Sequence, residues 1–156
     1  MTARFDPEAI SFLIVDVARM LRAEFDRRTS SAGLGLTPGE ARILVNAARA
    51  GSVRQATLAE RVGVEAMTLS SYLDRLEARG LIARTPDPSD RRAKLVLVTE
   101  AAAPALEAIT QAGSQLRADI SASLTPGRLD EVREGLKQIR ESLVAMRPDC
   151  GKAGPA

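Results

Sequence analysis

The sequence predicts a mainly α-helical fold with one small β-hairpin, and three observations carry that prediction. Aromatic residues make up only 3% of the chain. A core must then be assembled from Leu, Ile, Val and Ala, which suits close-packed helices better than a β-sandwich, whose strands recruit aromatic and β-branched side chains. Apolar residues recur at helical steps of three and four through the first third and the last third of the chain. Two short β-prone runs, Leu81 to Arg84 and Leu95 to Val98, flank a stretch rich in proline and small polar residues, as the arms of a hairpin would.

The elements follow in order. Asp6 is a suitable N-cap and Pro7 a suitable first position for a helix running to about Arg28, with Ile10, Leu13, Ile14, Val17, Leu21 and Phe25 along one face. Residues 30 to 35 form a loop. Thr37-Pro38-Gly39-Glu40 then combines a capping threonine, a first-turn proline and a glutamate placed to reach back, so a second helix starts there and runs to about Ala50. A short helix spans Gln55 to Val62, and Gly63-Val64 is the turn into a further helix from about Glu65 to Arg79. Gly80 ends that helix as a left-handed cap. Thr85 to Arg92 forms a long hairpin tip, because its prolines are poor strand residues. Thr99 opens a fifth helix whose start is blurred by Pro104. Thr125-Pro126 caps a last helix that carries Leu129, Val132, Leu136, Ile139, Leu143 and Met146 and stops at Pro148. The tail, residues 148–156, is expected to be disordered.

With 156 residues, 45% hydrophobic and 27% charged, the chain is globular and fits one domain or two lobes sharing a core. The net charge of +2 is a weak pointer to an anionic partner. Its distribution says more: Arg84, Arg91, Arg92 and Lys94 outnumber Asp87 and Asp90 within the hairpin. The chain has no histidine and a single cysteine, Cys150. It therefore lacks a His-based acid/base pair, a Ser-His dyad and a His/Cys metal cluster, and it shows no Gly-rich phosphate loop, so neither an enzyme nor a cofactor is expected. Glu131 and Glu134 read as a solvated helix face. A lone cysteine suits a reducing compartment, and the first apolar stretch, broken at Asp16, fits neither a signal peptide nor a spanning helix. A cytoplasmic protein with no membrane partner is expected, and Cys150 is read as incidental.

The most informative stretch is 55–98. Two closely crossing helices need a small residue at the contact, a glycine at the left-handed turn and apolar anchors on the second helix, and Ala59, Gly63, Leu69 and Tyr72 meet those needs. If Leu69, Tyr72, Leu73 and Leu76 face the core, Thr68, Ser71 and Arg75 face outward, with Ala66 and Met67 near the amino-terminal end and Ser70 beside them. Short hydroxyls, small apolar groups and an arginine can read a DNA major groove. An ordinary solvated helix face is the alternative. A hairpin directly after such a helix pair, bearing Asp90-Arg91-Arg92 at its tip, has the arrangement of a wing, whose arginine can enter a minor groove. Here the alternative is a solvated charge cluster. Asp90 is read as an orienting partner for an arginine.

These segments together resemble the MarR family. The resemblance rests on Leu58-Ala59-Glu60-Arg61-Val62-Gly63-Val64, on Leu73 to Ile82, on Pro86 to Lys94 with its Asp90-Arg91-Arg92, and on Val98-Thr99-Glu100. It covers residues 36–100 well and the flanking helices more loosely. It implies a winged helix-turn-helix lobe at 36–100 beside a helical dimerisation lobe built from 7–30 and 100–147. It also implies a homodimeric transcription regulator, expected to be a repressor, that binds an inverted repeat in double-stranded DNA. Carried over by position, residues 65–79 are the recognition helix and Arg92 is the wing arginine. A small aromatic or phenolic effector that releases the DNA is implied as well. The chain departs from the family pattern at Ala66, Met67 and Ser71, where basic or hydroxyl residues and an arginine are common, and in Thr99-Glu100-Ala101-Ala102, where a glycine usually follows Thr-Glu-Lys. Those departures keep open a winged module that binds protein instead of DNA. The apolar stripes of the first and last helices exceed what one small lobe can bury, so pairing with a second copy is the economical arrangement and an intramolecular bundle the alternative.

Overall fold

The computed structural model describes residues 6 and 8–146, the side chain of Arg91 excepted. Expectations for Pro7, Pro148, Cys150 and the tail 148–156 lie outside the described residues. In chain order the elements are α1 (Ile10–Ser31), α2 (Pro38–Ala50), β1 (Val53–Arg54), α3 (Gln55–Val62), α4 (Ala66–Ala78), β2 (Ile82–Asp87), β3 (Asp90–Val98), a 3-10 turn (Glu100–Ala102), α5 (Ala103–Ala122) and α6 (Arg128–Ala145). The mainly α fold with a small β-hairpin is what the sequence predicts. Two compact units divide between Leu116 and Arg117, within α5.

In the first unit the core is aliphatic. Ile43, Leu44 and Ala47 of α2, Leu58, Ala59 and Val62 of α3, and Leu69, Leu73 and Leu76 of α4 pack with Val53, Ile82 and Val96 of the sheet and with Ile109 of α5. The small side chain of Ala59 is buried, as the close crossing of α3 and α4 requires. Gly63 takes φ +71 and donates its N–H to the Ala59 carbonyl at 2.9 Å, making the left-handed turn between the two helices. At the far end of α4 the Leu81 N–H reaches the Leu76 carbonyl (3.0 Å) and the Gly80 N–H reaches that of Glu77 (2.8 Å), the paired bonds of a Schellman cap.

The start of α2 is a complete capping box. Thr37 Oγ1 accepts the Glu40 N–H at 3.3 Å, and Glu40 Oε2 accepts the Thr37 N–H at 2.8 Å. Three other helix starts differ from expectation. Asp6 Oδ1 accepts the Glu8 N–H at 2.9 Å, as a cap would, but the extended backbone of Ala9 intervenes and α1 begins only at Ile10. Pro104 is accommodated because α5 begins at Ala103, leaving the proline in the first turn, where no N–H is needed. Before α6, Thr125 closes a turn with Arg128, and the N-cap is Gly127 at φ +83, so the helix starts two residues beyond the expected Thr125-Pro126 cap.

The sheet is three-stranded, in the order β1-β3-β2, and antiparallel. The long hairpin tip expected over 85–92 is corrected here: β2 runs through Pro86 to Asp87, leaving only Pro88 and Ser89 between the strands. Pro86 is tolerated because β2 is an edge strand, where a missing N–H costs little. The register does break beside it. Pro86 faces Lys94 while Asp87 faces Asp90, so residues 91–93 bulge out of the ladder. The two-residue strand β1, which pairs Val53 with Val96 and Arg54 with Leu95, was not expected.

The apolar faces of α1 and α6 are open in the single chain. Along α1, Ile10, Leu13, Ile14, Val17 and Leu21 are all exposed. Along α6 no residue is buried, and Val132, Leu136, Leu143 and Met146 are exposed. In the second unit, Leu129, Val132 and Leu136 of α6 line one shallow, largely apolar hollow. No helix among the described residues is long and apolar enough to cross a membrane.

Candidate nucleic-acid interface

The orientation of α4 is set by its buried face. With Leu69, Leu73 and Leu76 inside, the 3.6-residue period turns Met67, Thr68 and Ser71 outward, and Ala66, in line with Leu69 and Leu73, is exposed as the first residue of the helix. Met67 is 84% exposed, more than any other large apolar side chain among the described residues. From there its thioether can meet an apolar group such as a thymine methyl. Ser71 Oγ donates to the Met67 carbonyl at 3.2 Å, and Ser70 is half-buried at the edge of the face. Tyr72 is half-buried and lies against the backbone of Gly39: a Cβ placed there would come within 2.5 Å of its ring.

Arg75 is engaged. Its Nε donates to Glu40 Oε1 at 2.6 Å, and its guanidinium carbon sits 4.9 Å from the centroid of the Tyr72 ring. The carboxylate that closes the capping box of α2 therefore also holds a side chain of α4. Burial pushes the Glu40 carboxyl up, but the hydrogen bonds from Arg75 and Thr37 outweigh it and hold the group below the usual carboxylate range. A second arginine of this helix end, Arg79, donates to the carbonyls of Gly35 (2.6 Å) and Leu34 (3.2 Å).

The hairpin is tied to α4 by Arg84. Its backbone N–H donates to Glu77 Oε1 at 3.0 Å and its Nε to Glu77 Oε2 at 2.9 Å, while Nη2 lies 2.7 Å from Asp74 Oδ1. The hydrogen bond from Arg84 lowers the Glu77 pKa against the opposing effect of burial, and that same bond raises the pKa of Arg84. Of the four basic residues counted in the hairpin sequence, Arg84 thus serves to join the wing to the helix.

A separate clamp closes the tip. Arg54 of β1 donates from Nε to Asp87 Oδ2 at 2.6 Å and from Nη2 to Ser89 Oγ at 3.0 Å. Ser89 donates both its N–H (2.8 Å) and its hydroxyl (2.7 Å) to Asp87 Oδ1, an Asx turn that accounts for the tight connection. These bonds, those from Ser89 foremost, hold the Asp87 carboxyl at about 2. Beyond the clamp, Asp90 Oδ1 accepts the backbone N–H of Arg92 at 3.0 Å. Asp90 is thus bonded to the main chain of Arg92. The Arg92 guanidinium is exposed and has no partner among the described residues. It lines, with Arg54 and Lys94, an open hollow of about 400 Å³ on the wing side of α3. Arg91 falls in the bulge of β3, and its side chain lies outside the described residues.

The structure therefore gathers Met67, Thr68 and Ser71 on one exposed helix face, with Ala66 at the exposed helix start and Ser70 at the margin, and leaves the Arg92 side chain without a partner among the described residues. Arg75 is drawn aside to Glu40. Three side chains do the joining, Glu40, Arg54 and Arg84 with its two carboxylates; the sequence offered Glu40 only as a cap and Arg84 only as a basic residue of the hairpin, and did not point to Arg54. Their partners lie seven to 35 residues away.

Residues 36–94 match the sequence model of the MarR family. Solved structures share the fold. A probable transcriptional regulator from Pseudomonas aeruginosa is 29% identical with a TM-score of 0.64, the match covering 85% of this chain and 97% of that one. A MarR-family transcriptional regulator from Rhodococcus sp. RHA1 is 26% identical with a TM-score of 0.70, covering 85% and 95%. A mutant MarR from E.coli, crystallised in complex with operator DNA, is 25% identical with a TM-score of 0.67, covering 88% and 99%. Residues 36–94 thus match the MarR family by sequence, and the chain shares the winged helix-turn-helix fold of these regulators over most of its length.

Proposed function

We propose that the protein is a transcription regulator that binds a specific double-stranded DNA site through α4 and the wing, and that Arg92 is its wing contact. The carrying observation is the contrast within one surface: Arg54 and Arg84 are held by carboxylates, whereas Arg92 projects unpartnered from a tip whose backbone is fixed by Asp90 and the Asp87 clamp. A cation held out in this way suits a groove of high negative potential. Met67, Thr68 and Ser71 are the groove-facing residues of α4, with Ala66 and Ser70 beside them. The operator complex of the related MarR supports DNA as the ligand.

The open apolar faces of α1 and α6 support a homodimer, because patches of that kind on a soluble chain mark an interface. A twofold dimer would present two recognition helices and prefer an inverted repeat. Repression, and its relief by a small aromatic or phenolic effector, complete the reading and are carried by the family resemblance. The test is anisotropy titration on genomic duplexes over a range of salt. Salt-sensitive binding that resists mixed-sequence competitor is expected. Arg92→Ala should weaken it by roughly 1–3 kcal/mol and reduce the salt slope by about one, with unchanged circular dichroism. Unaltered affinity would remove the wing from the interface.

A further inference from the structure

The sequence places Arg75 among the DNA-reading residues, but the structure gives it a different set of contacts. Its Nε is 2.6 Å from a carboxylate oxygen of Glu40, whose side chain is only 5% exposed, and its guanidinium packs on Tyr72. Tyr72 in turn presses on Gly39, the residue before that glutamate. The second Glu40 oxygen is taken by the Thr37 N–H. One turn further along α4, Arg79 grips the carbonyls of Leu34 and Gly35. The contacts of Arg75 with Glu40, of Tyr72 with Gly39 and of Arg79 with Leu34 and Gly35 all join this helix end to the segment 34–40.

We infer that the Glu40–Arg75 pair is a positioning device: it fixes the rotation of α4 against the start of α2 and so aims Met67, Thr68 and Ser71. Arg75 is then a positioning residue and not a base or phosphate contact. A charge-assisted bond to a nearly dry carboxylate is stiff, and a helix turned even slightly about its axis moves its outer side chains away from the base edges they meet. The inference rests on the DNA-binding reading for its functional meaning, and on the contacts above for its physical basis.

The two roles predict opposite signs for Glu40. Were Arg75 a DNA contact restrained by Glu40, removing the carboxylate would free a cation and strengthen binding. If the pair aims the helix, Glu40→Gln, which keeps a side chain able to bond Thr37, should cost about tenfold in affinity for a selected operator duplex, the loss seen for one mismatched base pair. Binding to a mixed-sequence duplex should not fall. Arg75→Ala should give the same loss with an unchanged salt slope, and the double variant should be no worse than the weaker single one. A salt slope reduced by about one in Arg75→Ala, with Glu40→Gln neutral or tighter, would overturn the inference. Amide hydrogen exchange on the DNA-free protein gives a readout independent of any operator. Exchange along α4 should quicken to the same extent in Glu40→Gln and Arg75→Ala while the sheet stays protected, and unchanged exchange would also overturn it. Failure of the unmodified protein to prefer any duplex would count against the DNA-binding reading alone, and the exchange measurement would still decide the pair.

Discussion

Helices α4 and α6 both space apolar residues by threes and fours, yet they meet opposite fates. In α4, Leu69, Leu73 and Leu76 are buried, and Arg75, Glu77 and Arg79 each hold another segment by a hydrogen bond. In α6, no residue is buried, and the ion pairs shown there, such as Arg128 with Glu131 and Lys137 with Glu134, stay within the helix. Short exposed pairs of that kind contribute a few tenths of a kcal/mol at most. The difference shows that periodicity announces an apolar face without saying whether the same chain will cover it. Helix α4 is completed by its own fold, whereas α6 presents an apolar face that nothing in the described chain buries.

The comparison can be broken at either helix. Leu73→Ala removes a fully buried side chain from α4 and should cost about 2–5 kcal/mol in denaturant unfolding, at any protein concentration. Gly39→Ala should cost about 1–3 kcal/mol, because its methyl would meet the Tyr72 ring, and Tyr72→Leu in the same chain should recover part of that loss. On α6 the expected effect depends on concentration instead. Leu136→Asp, at a side chain 47% exposed in the single chain, should shift sedimentation toward monomer and abolish any rise of melting temperature with concentration. A dimer unmoved by that change would place the interface elsewhere. The smallest effect concerns pH. Asp87 titrates at about 2 in the folded chain against an ordinary 3.8, so its clamp contributes fully above about pH 4 and is lost as pH falls through about 2. Asp87→Asn should remove that segment of the acid-unfolding profile and leave the neutral-pH fold intact.

Much of this was legible in the sequence where the cause is local. Thr37, Pro38 and Glu40 lie within one turn, and the helix they announce begins where they say. Gly63 and Gly80 mark the two ends of the recognition segment for the same reason, since each requires a positive φ. The outward face of Met67, Thr68 and Ser71 follows from a period that needs no tertiary knowledge. What escaped was non-local. Strand β1 is two residues long and exists only because β3, some forty residues on, pairs with it. Pro86 reads as a strand breaker until the topology puts it on an edge. The partners of Arg75 and Arg54 lie 35 and 33 residues away, so spacing along the chain could not reveal that one arginine was already committed and another pinned the wing.

A single carboxylate serves both the entry to α2 and the guanidinium of α4. Residues 66–78 transplanted alone into another scaffold would lose the carboxylate that Arg75 holds. A faithful transplant has to carry residues 34–40 as well, so the structural unit here is two segments of chain and not one helix.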